Sequence, residues 1–323
     1  MKCICLVVCF LTAAGVGSVA IAQQSSDTTI INYKPAKQKI KWNYKYDQTL
    51  VLKLLLSQAS FDGKYKRKDN GRSEVYLNYK EALDIIRRID NITLQIPKII
   101  YLVGWQYNGH DSRYPAWFQG NDRLKRKEDP NSLESLKWLM KEARKYHAVI
   151  SLHINMFDAY EDSPLWDEYV THDIIAKDRN GNPLAAEWGY PISYAQEWKT
   201  GYAQRRIDSL CKILPLKQAG TIHIDAFHTW PPLPVKDENG DFKIDLSKKV
   251  TSPYLSFTVA DETAAQEKIF EYWHSKGVDV TSEGVDFLRE TSFEGYQPMG
   301  WWFSDLENYR RWPSGLYTGG VGP

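Results

Sequence analysis

The stretch TIHIDAFHTWPP, residues 221–232, decides how the rest of the chain is interpreted. Its first five residues alternate in polarity, so His223 and Asp225 project from one face of a strand and two isoleucines from the other. Two prolines, which cannot continue a central strand, follow a few residues later. An acidic side chain is therefore expected to emerge at the carboxyl end of a short buried strand.

Five further stretches have the length and apolar character of strands, and amphipathic helical stretches separate them. The predicted strands are TLVLKLLL (49–56), KIIYLVGW (98–105), AVISLHIN (148–155), TIHIDAF (221–227), VDVTSEG (278–284) and GYQPMGWWF (295–303). The predicted helices cover 81–90, 132–147 after a cap at Asn131, 196–214, and 263–277 after a capping box of Thr263 with Gln266. This alternation predicts a parallel sheet covered by helices, either open and doubly wound or closed as a (β/α)8 barrel.

The distribution of polar residues favours the barrel. No GxGxxG or Walker sequence follows any predicted strand, which weakens the nucleotide-binding alternative. Polar side chains instead collect where strands end, which is where barrel enzymes have their active sites. These residues are Gln106, His110, Asp111, His153, Asn155, Asp225 and Glu283. The predicted fold is an α/β TIM-type barrel; because only six strands are found, either the N-terminal segment contributes more or the barrel is incomplete at the C-terminus.

The first 22 residues are predicted to be a secretory signal peptide. Lys2 precedes an apolar run that ends in the small-x-small pattern Ala20-Ile21-Ala22. A membrane anchor is the alternative, but two glycines interrupt the run and no charged stop-transfer segment follows. We therefore expect a secreted or periplasmic protein without stable membrane insertion, with a segment at 23–75 leading into a barrel at 76–323. Cys211 is the only cysteine beyond residue 22, so no internal disulfide is expected.

Composition points to a carbohydrate partner and away from nucleic acid. The 323 residues carry a net charge of +1, with basic and acidic side chains intermixed apart from a short basic cluster at 64–68, which we interpret as a solvated loop. The chain contains 12 Trp and 20 Tyr, many of them in the connections that follow strands. Flat rings with polar edges stack on the apolar faces of sugars.

Asp225 and Glu283 form the candidate catalytic pair, because each ends one of two successive predicted strands. A retaining glycosidase needs two carboxyl groups roughly 5 to 5.5 Å apart, and an inverting one leaves roughly 6.5 to 9.5 Å for a water molecule. Proximity would separate their titrations, so that one is charged while the other keeps its proton. The alternative is that each acid only caps a strand end or pairs with a nearby Arg or Lys.

Two other patterns suggest cation binding. His153, His223, Asp225 and His228 could form a mononuclear metal site, although no HxH or HExxH spacing supports it, and a structural role for His223 inside the barrel mouth is the competing interpretation. The stretches DRNGN (178–182) and DENGD (237–241) are rich in oxygen ligands but lack the EF-hand spacing. We interpret both as turns, the second closing a hairpin.

Five stretches resemble the endo-α-N-acetylgalactosaminidases of glycoside hydrolase family 101, over roughly residues 98–303. They are GWQYNGHDSRYP (104–115), LHIN (152–155), EWGYPISY (187–194), QRRIDSL (204–210) and SEG (282–284). The sequence departs from the family pattern in lacking an acidic residue just before Ser193-Tyr194, in an apparent hairpin insertion after Asp225, and in the absence of large accessory β domains.

The resemblance implies a secreted retaining enzyme that releases galactosyl-β-1,3-N-acetylgalactosamine from Ser or Thr of mucin-type O-glycans, without a cofactor. It implies that Asp225 is the nucleophile and Glu283 the acid/base, and that an aromatic lid covers the substrate. The expected substrate-binding residues are His110, Asp111, His153, Asn155, Trp188, Tyr190 and His223. A non-catalytic carbohydrate-binding or inactive barrel relative is the second hypothesis, and a metal-dependent barrel hydrolase is the third.

Overall fold

The structure is a computed structural model, and it describes residues 40–62, 68–185, 189–225, 227, 235–236, 242–243, 251–283 and 295–299. The strands are β1 (Leu50–Leu55), β2 (Ser57–Phe61), β3 (Asp69–Val75), β4 (Lys98–Val103), β5 (Ala148–Asn155), β6 (Asp158–Ala159), β7 (Tyr190–Pro191), β8 (Thr221–Asp225), β9 (Val235–Lys236), β10 (Phe242–Lys243), β11 (Asp279–Glu283) and β12 (Gln297–Met299). The α-helices are α1 (Tyr79–Ile92), α2 (Ser132–Glu142), α3 (Trp166–Thr171), α4 (Tyr194–Lys199), α5 (Tyr202–Ile213), α6 (Leu216–Ala219) and α7 (Val259–Ser275).

Six strands form one sheet in the order β1-β4-β5-β8-β11-β12, and each neighbouring pair is parallel. They are the six strands predicted from the sequence. The helices α1, α2, α5 and α7 lie in the connections between successive strands of this sheet, as βαβ units require. Among the described residues the sheet is therefore a parallel TIM-type one, and the N-terminal segment at 23–75 contributes its first strand, β1.

The sheet is strongly curved. Three strands lie between β1 and β11, so a flat sheet would hold them roughly 19 Å apart. Nevertheless Lys53 of β1 contacts Glu283 of β11, with 2.5 Å between Nζ and Oε1. Tyr101 of β4 also reaches over β5 to Thr221 of β8, with 2.6 Å between their hydroxyl oxygens. The inner face of the sheet thus surrounds an interior, as in a barrel.

Residues 40–48 pack across the N-terminal ends of the strands. The backbone N–H of Asn43 donates to Oδ2 of Asp279 at 2.7 Å, and the Asn43 side chain donates to the carbonyl of Gly220 at 2.9 Å. The Tyr46 hydroxyl donates to the same Asp279 oxygen at 3.1 Å and lies 2.9 Å from the Thr221 hydroxyl. These bonds satisfy the buried polar groups at the first position of β8 and of β11.

Two helix predictions are wrong in detail. Helix α7 begins after Thr258, whose side chain forms a capping box with Asp261, rather than at Thr263 with Gln266. The predicted helix 196–214 is divided into α4 and α5, because Gly201 adopts a φ of 80°. The Asn131 cap is confirmed, since its side chain accepts from the backbone of Glu134.

The first of the two Asn-Gly stretches lies at a turn. The Asp178 carboxylate accepts from the backbone of Asn180 and Asn182 within 178–182. The antiparallel pair β9 and β10 flanks 237–241, whose own residues lie outside those described. The predicted signal peptide at 1–22 also lies outside them. No helix among the described residues is long and apolar enough to cross a membrane.

The loop after β4 depends on two glycines. Gly104 has a φ of 75°, and a Cβ there would lie 1.8 Å from the carbonyl oxygen of Ser57. Gly109 has a φ of 122°, and its Cβ would lie 2.7 Å from the carbonyl carbon of Gln58. Both glycines allow the loop to approach the backbone of β2, and this approach fixes the position of the following residue, His110.

We expect Gly104→Ala to destabilise the fold by several kcal/mol, because it combines left-handed strain of about 1–2 kcal/mol with a backbone clash. The matched control is Gly201→Ala, which has a φ of 80° and no heavy atom within 4 Å of the added Cβ, so it suffers the strain alone. Urea unfolding of both variants measures the difference. Equal losses of unfolding free energy would contradict the close packing of this loop.

Candidate active site

Asp225 and Glu283 end the neighbouring strands β8 and β11, as predicted. The register pairs Thr221 with Asp279 and His223 with Thr281, so the next inward-facing pair is Asp225 with Glu283. Their side chains are 18% and 10% exposed. Adjacent strands lie about 4.8 Å apart, so the two carboxyl groups are close enough for each to act on the pKa of the other. The structure therefore brings two largely buried acids together at the ends of neighbouring strands.

Lys53 adds a cation to the site, and its role was not predicted from the sequence. Its ammonium group lies 2.5 Å from Oε1 of Glu283, and its side chain is 20% exposed. The signal was present in TLVLKLLL, where a single cation interrupts an otherwise apolar strand. Its significance depends on curvature of the sheet, which a single strand does not reveal.

The charges around the two acids separate their titrations in a definite direction. Burial raises the pKa of Asp225 well above its usual value, and the negative charge of Glu283 raises it further. Burial alone would also raise the pKa of Glu283, but the neighbouring His223 ring and the positive charge of Lys53 hold that pKa far below the usual range. These opposite shifts favour an ionised Glu283 beside a protonated Asp225.

His153 and His223 form a neutral layer beside the acids. Their rings stack with centroids 5.3 Å apart, and burial together with the charge of Lys53 lowers the pKa of each well below its usual value. Nδ1 of His223 lies 2.8 Å from the Thr281 hydroxyl, and its Nε2 lies 3.9 Å from Oε1 of Glu283. His223 is thus bonded inside the barrel mouth, and its contacts are with the protein on both sides of the ring.

His153 is placed differently from His223. Its Nε2 lies 3.5 Å from Oδ2 of Asp225, yet neither ring nitrogen has a hydrogen-bond partner among the described residues. A buried imidazole without partners costs free energy unless a ligand or water completes its bonding. His153 is therefore suited to bind a polar group of a ligand beside Asp225.

The loop after β4 brings His110 and Asp111 to the same place. The His110 ring meets the His153 ring edge-on at 5.2 Å, and its Nδ1 lies 3.5 Å from Oδ1 of Asp111. One ligand atom each from His110, His153 and Asp225 lie within 4.8 Å of one another, a spacing that would also suit a divalent ion. His223, which the metal hypothesis included, faces Thr281 instead.

The remaining predicted site residues differ in their surroundings. Asn155 lies in register with Asp225, but its amide accepts from two backbone N–H groups of its own turn and donates to Asp158 at 2.7 Å. Tyr190 lies on β7, its hydroxyl donates to Glu161, and its ring packs edge-on against Trp166 at 4.8 Å. Trp188 and His228 lie outside the described residues.

We expect Asn155→Ala to lower the free energy of unfolding by about 1–3 kcal/mol, because it removes the acceptor of the buried turn. Asn155→Asp keeps that acceptor but adds a second carboxylate beside Asp158. Like-charge proximity raises the pKa of one carboxyl group in the folded protein, so this variant loses stability as the pH rises above about 5. Thermal unfolding at several pH values tests this, and a pH-independent deficit in Asn155→Asp would contradict it.

Comparison with known proteins adds the family context. Residues 67–289, more than half of the chain, match the family described as endo-alpha-N-acetylgalactosaminidase, Glyco_hydro_101. No curated protein matches this sequence.

Solved structures share the fold at low sequence identity. The ligand-free alpha-N-acetylgalactosaminidase NagBb from Bifidobacterium bifidum is similar with a TM-score of 0.57 and 13% identity, over 83% of this chain and 40% of that one. Its GalNAc complex gives a TM-score of 0.54 at 13% identity, over 75% and 35%. A mutant of trehalose-6-phosphate hydrolase from Bacillus licheniformis in complex with PNG gives 0.50 at 12%, over 80% and 50%. The chain spans less than half the length of NagBb.

Proposed function

The chain belongs to glycoside hydrolase family 101, the endo-alpha-N-acetylgalactosaminidase family, and from this premise we propose that it is an exported retaining glycoside hydrolase. Its proposed substrate is the disaccharide galactosyl-β-1,3-N-acetylgalactosamine in α-linkage to Ser or Thr of O-glycans. Asp225 is the proposed nucleophile and Glu283 the proposed acid/base.

The observation that carries the proposal is the placement of Asp225 and Glu283 side by side at the ends of the paired strands β8 and β11, where each acts on the pKa of the other. Paired strands lie about 4.8 Å apart, which brings the two carboxyl groups close together. This supports the short carboxyl separation of retaining enzymes, roughly 5 to 5.5 Å, over the longer one of inverting enzymes.

The reaction follows two steps. In the first, a carboxylate oxygen of Asp225 attacks the anomeric carbon, and the bond to the Ser or Thr oxygen breaks as that oxygen takes the proton of Glu283. In the second, Glu283 removes a proton from water while the water oxygen attacks the anomeric carbon, and the bond to Asp225 breaks. Both acids return to their starting protonation, with one proton shared between them.

The surrounding side chains would orient the sugar. His153 offers two buried nitrogens without partners among the described residues, and His110 with Asp111 lies against it. A sugar hydroxyl that both donates and accepts would satisfy this group. His223 would act through Glu283, and Asn155 would support the turn beside Asp225.

The first experiment offers the full chain an aryl α-glycoside of the core-1 disaccharide beside the matching monosaccharide glycoside. We expect release of the disaccharide, first as the α-anomer by NMR, and little hydrolysis of the monosaccharide. Asp225→Asn is expected to lower kcat by about 10,000-fold or more, because the nucleophile is lost.

Three outcomes would count against the proposal. Binding of core-1 glycopeptide without hydrolysis would indicate a carbohydrate-binding relative. Loss of activity with a chelator would indicate that His110, His153 and Asp225 hold a metal ion. Initial formation of the β-anomer would indicate inversion.

The second experiment assigns the two carboxyl roles with azide. In Glu283→Ala azide replaces water and attacks the glycosyl-enzyme, so the product is the α-glycosyl azide. In Asp225→Gly azide takes the place of the missing nucleophile and gives the β-glycosyl azide. If the two products are exchanged between the variants, Asp225 is the acid/base and Glu283 the nucleophile.

A further inference from the structure

We propose that Lys53 is a positioning residue that keeps Glu283 ionised before the reaction, so that the catalytic proton is stored on Asp225 until a substrate binds. The inference rests on the proposed glycosidase function, and it adds a residue from β1 to the pair on β8 and β11.

Lys53 contacts Glu283 directly. The side chain of Lys53 crosses the barrel interior, and its Nζ lies 2.5 Å from Oε1 of Glu283. With Lys53 only 20% and Glu283 only 10% exposed, water screens this pair much less than it would a surface ion pair. A charged pair at this distance strongly favours the carboxylate form of Glu283.

Three titratable side chains face Glu283 among the described residues. Lys53 approaches from β1, while His223 and Asp225 approach from β8. The neighbour on the other side is Met299 of β12, in register with Glu283, and it brings no charge.

Further titratable side chains lie beyond those that face Glu283. His153 contacts Asp225 from β5, and the loop after β4 adds His110 and Asp111 next to His153. Burial lowers the pKa of both His153 and His223 well below the usual range, so these rings are neutral near pH 7. Of the charged groups described around Glu283, Lys53 is therefore the cation in direct contact with it.

Before the reaction Asp225 must be ionised and Glu283 protonated, which is the reverse of the arrangement that Lys53 favours. The two carboxyl groups end paired strands that lie about 4.8 Å apart, so one proton passing between them converts the stored state into the reactive one. The transfer neither adds nor removes a proton. After Glu283 has protonated the leaving oxygen, Lys53 stabilises the carboxylate that must then accept a proton from water.

The test compares Lys53→Met, which removes the charge, with Lys53→Arg, which keeps it. Removing a positive charge in contact with the pair raises the pKa values of the pair. We expect both limbs of the pH profile of kcat/KM to move upward by about 1 pH unit or more in Lys53→Met, and to stay in place in Lys53→Arg. For an aryl glycoside with a good leaving group, whose slow step is hydrolysis of the glycosyl-enzyme, kcat of Lys53→Met falls about 10-fold or more.

A matched control removes another partly buried lysine. Lys177 lies 2.5 Å from Asp173, and its side chain is 11% exposed. Lys177→Met removes a similar ion pair away from the two acids and is expected to leave both pH limbs in place. Lower activity in Lys53→Met with unmoved limbs, like the control, would show a structural role only and overturn the inference.

A measurement without substrate separates this inference from the proposed function. NMR of protein with ¹³C-labelled glutamate carboxyl groups identifies the Glu283 signal by its loss in Glu283→Gln. We expect that signal to remain that of a carboxylate between about pH 4 and 8 in the unchanged protein, and to titrate in this range in Lys53→Met. Titration of Glu283 in the unchanged protein would overturn the inference even if the enzyme is active, and the expected result would support it even if no glycoside is hydrolysed.

Discussion

The parallel register between β8 and β11 is the constraint on which the candidate site depends. It aligns three inward-facing pairs, Thr221 with Asp279, His223 with Thr281, and then Asp225 with Glu283. Because side chains alternate between the two faces of a strand, a slip of one residue would turn the polar positions towards the helices and the isoleucines of β8 inward. The same pairing therefore provides a packed apolar layer under the helices and a polar column inside the barrel, which leads to the acids at the mouth.

That polar column is tolerable because nearly every group in it has a partner on another strand. Tyr101 bonds Thr221 across β5, and His223 bonds Thr281. At the carboxyl ends of the strands the Lys53 ammonium group meets the carboxylate of Glu283, and burial together with the charge of Glu283 raises the pKa of Asp225, which disfavours two adjacent negative charges. Removing one member of a buried ion pair leaves the charge of the other member buried without a partner, which is destabilising. His153 has no hydrogen-bond partner at either ring nitrogen among the described residues, and a ligand would complete its bonding.

The sequence predicted the six strands and the meeting of Asp225 with Glu283, because alternation and chain order are local properties and successive βαβ strands usually lie side by side. It could not predict Lys53, whose role depends on the sheet curving until β1 faces β11. Both Thr258 and Thr263 precede a suitable capping partner by three residues, so the spacing alone does not decide where α7 begins. Tertiary contacts distinguish them: Gln266 donates to the Phe227 carbonyl, and is therefore a helix-interior residue rather than part of a cap.

The hydrogen bonds of residues 43–46 limit how the chain can be shortened. Asp279 and Glu283 belong to the same five-residue strand, one at each end, so the contacts of Asn43 and Tyr46 with Asp279 hold the strand that presents Glu283 on the opposite side of the barrel. A peptidase that cut after Tyr46 would open the base of the barrel to water and release one anchor of that strand. Shortening of the chain from its N-terminal side is therefore compatible with these anchors only when the cut precedes Asn43.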